Sequence, residues 1–289
     1  STRRTYHLDW TSFRGAGQDG YALLPQYGTE NPGDLLPRAK TAALKALELD
    51  ERLAEAHSSL GLVQLVYDWD WLSAETQFKR AIELNPSYAM AHRFYAEYLT
   101  AMGRSSSALA EMKRAHELDP FSLIINANLG MPYLYARQYD QAIEYLRKAL
   151  EMDPSFLATH VHLALAYEYK GLYPEAINEW EQVRSLSQGG WDLAPAFARV
   201  RMYPLMGRKA EARRLLNDME RRLSQRSLSA EDLAIAYMRL GEKEKAFVWL
   251  EKSLESREVG MIFLKVDPMW DSLRSDPRFQ ALLRRMNFP

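Results

Sequence analysis

Gly15-Ala16-Gly17-Gln18-Asp19-Gly20 has the glycine spacing of a dinucleotide-binding turn. Such a turn needs a strand before it and a helix opening after it, so that free backbone N–H groups meet a pyrophosphate. Nothing before Gly15 alternates like a strand, so the segment is expected to be a linker. His57, His92 and His160 occupy the same place in three units of a repeat, 35 and 68 residues apart. A shared metal would need ligands within about 2.1 Å of one ion. Neighbouring helices lie roughly 10 Å apart, so packing is the expected role. His162, two residues further on, points elsewhere and is expected to hydrogen-bond. Asp68-Trp69-Asp70-Trp71 has the makings of a cation platform. Aromatic residues beside a helix start commonly staple the helix, so a structural role is expected. No Ser/His/Asp or Cys/His arrangement, phosphate loop or carboxylate pair is visible. Cysteine is absent, which removes thiolate chemistry and disulfides. The expectation is a chain with no catalytic residue, no cofactor and no metal.

The charge balance excludes further classes. Lys+Arg is 37 and Asp+Glu is 38, a formal net charge of -1 over 289 residues. That leaves no footprint for nucleic acid or an anionic membrane. No stretch approaches the ~18 apolar residues of a membrane span. Arg3 and Arg4 precede no apolar run, so no signal peptide is expected, and the location expected is cytoplasmic.

The elements that carry these residues repeat. Pro86, Pro120 and Pro154 lie 34 residues apart, as do Ala74, Ala108, Ala142 and Ala176. A period of that length is the signature of stacked helix pairs. Small residues (Gly61, Ala96, Gly130 and Ala164 on first helices; the alanine series on second helices) let backbones approach closely. Large residues four positions beyond the alanines fill the space towards the next unit. Gly103 and Gly171 suit a left-handed helix end. Asn85-Pro86, Asp119-Pro120 and Asp153-Pro154 stop each second helix.

These residues resemble the tetratricopeptide repeat (TPR) family. The spacing holds over at least four units from Leu53 to Leu186. Looser units follow around Tyr203, Gly207, Ala212, Leu216 and Met219, and around Leu233, Ala234, Tyr237, Gly241, Ala246 and Leu250. The resemblance implies an all-α, right-handed solenoid of antiparallel helix pairs. Asp68-Trp69-Asp70-Trp71 carries one extra residue, and Pro132 and Pro204 fall inside first helices, so irregularity is expected at all three. The expected organisation is a linker or irregular segment at 1–20 and an array of about six to seven pairs at 21–256, with a C-terminal helical cap at 257–289. The first pair is degenerate, with Pro25 in Tyr21 to Tyr27. The cap is expected to bury Met269, Trp270, Leu273, Phe279, Leu282 and Leu283 on the last repeat. The tail from Lys265 to Phe279 also resembles the C-terminal ends of multidomain bacterial signalling proteins.

In this family the first helices line the concave face. Matched positions place Leu62, Arg93, Phe94, Glu97, Asn128, Met131, Tyr135, His162, Leu165, Tyr169, Phe197 and Arg201 there. The surface leans apolar and aromatic. Arg93 and Asn128 fit the clamp with which some relatives grip a chaperone's C-terminus, but Glu97, Ala158 and His162 do not. The expected function is therefore a protein-binding scaffold or sensor without enzymatic activity. Its ligand is a polypeptide, an apolar helix or extended segment, bound with weak salt dependence. Alternatives are self-association through an end repeat, giving a homo-oligomer, or the channel-forming part of a larger enzyme.

Overall fold

The computed structural model describes residues 32–187, 191–222 and 229–289. The expectations for residues 1–20, including Gly15 to Gly20, and for Tyr21 to Tyr27 lie outside them. The described residues are helical, without a strand. Antiparallel helix pairs stack into a right-handed solenoid. Helix α1 (Pro32–Leu49) packs on α2 (Ala54–Val63), which pairs with α3 (Trp71–Leu84). Then come α4 (Ala89–Ala101) with α5 (Ser105–Leu118), and α6 (Leu123–Asn128) and α7 (Met131–Tyr135) with α8 (Tyr139–Met152). Helices α9 (Leu157–Lys170) and α10 (Tyr173–Leu186), α11 (Ala194–Met202) and α12 (Lys209–Arg222), and α13 (Ala230–Arg239) and α14 (Lys243–Glu255) complete the array. The tail folds as two 3-10 turns, Val259–Phe263 and Pro268–Trp270, and α15 (Pro277–Arg285).

Close approach explains the small residues. A Cβ at Gly61 would lie 2.8 Å from the Phe78 ring, and one at Gly130 would lie 2.8 Å from Leu146. Ala74, Ala108, Ala142 and Ala176 have no exposed surface. Asn85, Asp119 and Asp153 leave each second helix in extended backbone, with φ near -142°, -141° and -145°. The turn inside each pair passes through the left-handed region at one fixed register position. Gly103, Gly171, Gly207 and Gly241 occupy it, but Trp69 (φ 55°) and Arg137 (φ 63°) take it without glycine's freedom.

The three irregularities have separate causes. The extra residue before α3 is absorbed as a π-helical turn, Gln64–Asp68, closed by Asp70 N–H donating to the Gln64 carbonyl at 3.0 Å. Pro132 has no N–H to give, and the first helix of its pair splits into α6 and α7. Pro204 turns the end of α11 into a 3-10 stretch, Tyr203–Met206. Trp69 and Trp71 are both 4% exposed, and Asp70 caps α3 by accepting from Ser73 N–H. The Trp loop is a staple, as expected.

The recurrent histidines hook each pair together. His57, His92 and His160 each place Nδ1 2.6 Å from an oxygen on the second helix, on Gln77, Glu111 and Glu179. Their Nε2 atoms meet the carbonyls of Glu51, Pro86 and Pro154, and Asn126 does the same for Pro120. Both ring nitrogens are therefore committed within the fold.

Candidate polypeptide-binding inner face

The first helices carry three rows of side chains at the positions expected to face inward. The row nearest their N-termini holds Ser58, Arg93, Asn128, His162 and Phe197, all buried. The Arg93 guanidinium is 1% exposed, lies 4.7 Å over the Phe94 ring and stands 3.5 Å from the Glu97 carboxylate. Asn128 donates to the Ile124 carbonyl of its own helix at 2.7 Å. His162 places Nδ1 2.8 Å from the Ala127 carbonyl. Burial, helped by the Arg93 charge, pushes its pKa down to about 4. It is thus a neutral imidazole at pH 7, with Nδ1–H donating.

The middle row runs from Leu62 through Glu97, Met131 and Leu165 to Arg201. Its ends are buried, whereas Glu97, Met131 and Leu165 keep part of their surface open. Arg201 donates to Glu168 at 3.0 Å and to Asp232 at 2.9 Å. Burial opposes its charge, but the two carboxylates hold its pKa above the usual guanidinium value.

The third row, at the C-terminal ends of the first helices, is occupied by the chain's own tail. Phe263 stacks on Tyr135 with centroids 4.5 Å apart. Tyr169 O–H donates to Asp267 at 2.7 Å, and Arg137 pairs with Asp271 at 2.7 Å. Burial raises the Asp267 carboxyl to about 6 despite the hydrogen bonds it accepts. Arg257, itself in the left-handed region, lies over the rings of Tyr67 and Trp69 and donates to the Tyr67 carbonyl. Beyond α15, Trp71 Nε1–H donates to the Met286 carbonyl at 2.7 Å, and Phe288 stacks on Trp71. Met269, Trp270, Leu273, Phe279 and Leu282 share one core with Leu250 and Leu254 of the last repeat and with Leu62, Trp69 and Trp71 of the first. The tail therefore ties the two ends of the array together, where the sequence predicted contact with the last repeat alone.

The inward register expected from the sequence thus splits. Leu62, Arg93, Phe94, Asn128, His162, Phe197 and Arg201 are buried. Glu97, Met131, Tyr135, Leu165 and Tyr169 remain half-buried. Sequence reasoning missed Glu168, Glu231, Asp232 and Asp267. Glu231 sits one repeat beyond Phe197 and was available by extending the same register through the looser units. Among the described residues no group of three His, Cys, Asp or Glu side chains could hold a metal ion. No described helix is long and apolar enough to cross a membrane.

Models of the tetratricopeptide repeat match residues 69–122, 128–189 and 228–259. The chain belongs to the tetratricopeptide repeat family. Solved structures share its fold. A TPR protein from Parabacteroides merdae is 16% identical, with 94% of this chain and 100% of that chain covered at a TM-score of 0.60. Human IFIT1, solved as a dimer with m7Gppp-AAAA, is 18% identical, with coverage of 86% of this chain and 60% of that one, at 0.61. Pseudomonas aeruginosa PilF is 22% identical, covering 71% and 90%, at 0.50. A search of curated proteins finds no match.

Proposed function

We propose that this TPR protein, whose fold supports a protein–protein interaction scaffold in general terms, binds a polypeptide along its inner face, on the half-buried strip of Glu97, Met131 and Leu165, with Tyr135 and Tyr169 at its edge. One observation carries the reading. Polypeptide already lies along this face, because the tail engages Tyr135 by ring stacking and Tyr169 by a phenol–carboxyl hydrogen bond. The face thus offers the contacts an extended segment uses, aromatic area and side-chain hydrogen bonds. A photo-crosslinking residue placed in turn at Met131, Leu165, Leu72 and Phe121 tests it; the last two are 77% and 83% exposed. Adducts with a polypeptide partner from Met131 and Leu165 are expected. Adducts from Leu72 or Phe121 alone would move the site off the inner face.

A further inference from the structure

At the last repeat the inner face turns acidic. Glu231 and Asp232 open α13, Glu168 comes from α9, and Glu258 and Asp267 come from the tail. Arg201 is committed to Glu168 and Asp232, and Arg274, beside Asp267, is committed to Asp271 and to the carbonyls of Lys265 and Asp267. Glu258 is also committed: it accepts from the N–H groups of Ala230 and Glu231 and from Ser253 O–H. Asp267 accepts from Tyr169 and from Met269 N–H. Glu231 differs. Its carboxylate makes no hydrogen bond or ion pair among the described residues and lies against Gly260, where a Cβ would come within 2.1 Å of Oε2. A buried acceptor is orphaned in the same cluster, on Glu168, which Arg201 links to Asp232. Glu168 is 3% exposed, and its Oε1 has no hydrogen-bond partner. An unpaired buried acceptor costs about 1–3 kcal/mol, more when charged, until a donor meets it.

Resting on the inner-face reading above, we propose that this acidic end seats one basic side chain, lysine or arginine, of the docked polypeptide, its cation against Glu231. The groups in place are acceptors, and the cations near them, Arg201 and Arg274, are already committed, so the missing partner is a donor carrying positive charge. The half-buried Met131 and Leu165 give neighbouring residues of the same segment apolar surface on the way to the acids. Charge complementarity selects a basic segment over an acidic one. The weak salt dependence expected from the sequence does not fit this end of the face. Binding also moves a proton. Burial, with Glu258, Asp267 and Asp232 nearby, raises the Glu231 carboxyl well above the usual carboxylate range, while Arg201 pulls the other way. A cation at that carboxyl favours its ionised form, so the proton leaves to buffer.

Random decapeptides displayed on phage and selected on the full chain test the proposal, with Glu231→Gln selected in parallel. Selected peptides should carry Lys or Arg at one fixed position, and that preference should vanish on Glu231→Gln, which is isosteric with the protonated acid. For the best peptide, Lys→norleucine should weaken binding at least tenfold to the parent and leave binding to Glu231→Gln unchanged. Calorimetry in buffers of different ionisation enthalpy should show proton release on binding to the parent alone. Spermidine or butylamine binding as tightly as the peptide would make the site one for small amines and overturn the peptide assignment. Peptides that crosslink at Met131 and Leu165 without a basic preference would overturn this inference and leave the inner-face reading standing. Selection of no binder would overturn both.

Discussion

Replacing Met286 by Ala tests whether the tail closes the array. Met286 has no exposed surface and shares a core with Leu62, Trp69 and Trp71 of the first repeat. Its carbonyl accepts from Trp71 across 215 residues of sequence. Truncation of a fully buried Met costs about 2–5 kcal/mol. That is a large fraction of the roughly 5–15 kcal/mol that holds an ordinary domain folded. The backbone hydrogen bond survives the substitution, so the protein should still fold. Native-state hydrogen exchange, read peptide by peptide, is the assay. Protection should fall in α15 and also in α2 and α3, at the opposite end of the sequence, while α8 to α10 change least. A variant that loses protection in α14 and α15 alone, with α2 and α3 untouched, would refute closure and leave the tail as a cover for the last repeat.

Ala142→Leu should overpack the contact beneath Gly130, where an added Cβ would lie 3.2 Å from the Ala142 carbonyl. The expected loss is about 1–3 kcal/mol, seen as a lower thermal midpoint. Two buried groups give opposite pH slopes. His162 titrates near 4 when folded against 6.5 when free, so the unfolded chain binds its proton first and stability falls as pH drops from 6.5 towards 4. Asp267 titrates near 6 against 3.8, so the unfolded chain ionises first and stability falls as pH rises from 3.8 towards 6. Each is worth up to about 3 kcal/mol and they oppose one another over the shared window. Relative to the parent, denaturant melts of His162→Gln should lose stability as pH rises through that window, and those of Asp267→Asn as it falls. Parallel slopes in all three proteins would refute both assignments. Unfolding should also be cooperative from end to end, with far-UV dichroism and tryptophan fluorescence giving one coincident transition. Stepwise loss of repeats would argue against closure.

The repeat was legible because it is written in residue size and backbone conformation. Alanines with no room for a Cγ and prolines past each second helix recur at one spacing, whatever the surroundings. The left-handed turn was legible at Gly103 and Gly171 but hidden at Trp69 and Arg137, where tertiary contacts override the usual preference for glycine. Trp69 is held under Arg257, and Arg137 is paired with Asp271. Which positions of the first helices share a row could be read from periodicity, while their inward direction was implied by the family resemblance. The cover over those rows could not be read, because the tail lies outside the period and its partners are distant in sequence. The histidine hooks were partly visible. The matching places of His57, His92 and His160 in their units could be seen, but their acceptors on the second helices emerge only when the pairs stack.

Closure also constrains how a partner can use the inner face. Met261, Ile262, Leu264, Met269, Trp270, Leu273, Phe279, Leu282 and Met286 are each 3% exposed or less. Returning such side chains to water costs roughly 1.5–3 kcal/mol apiece, so releasing the whole tail would cost well over 10 kcal/mol. A nanomolar partner contributes about 12 kcal/mol in total. Displacing the tail would cost more than that and leave no net affinity. A partner on the inner face must therefore bind beside the tail, with the array closed. The surface left to it is the open middle row of Glu97, Met131 and Leu165, which leads towards the carboxylates at α13. A segment threaded there would have the tail as one wall and the first helices as the other. Selectivity would then depend on side chains the tail supplies as much as on those of the repeats.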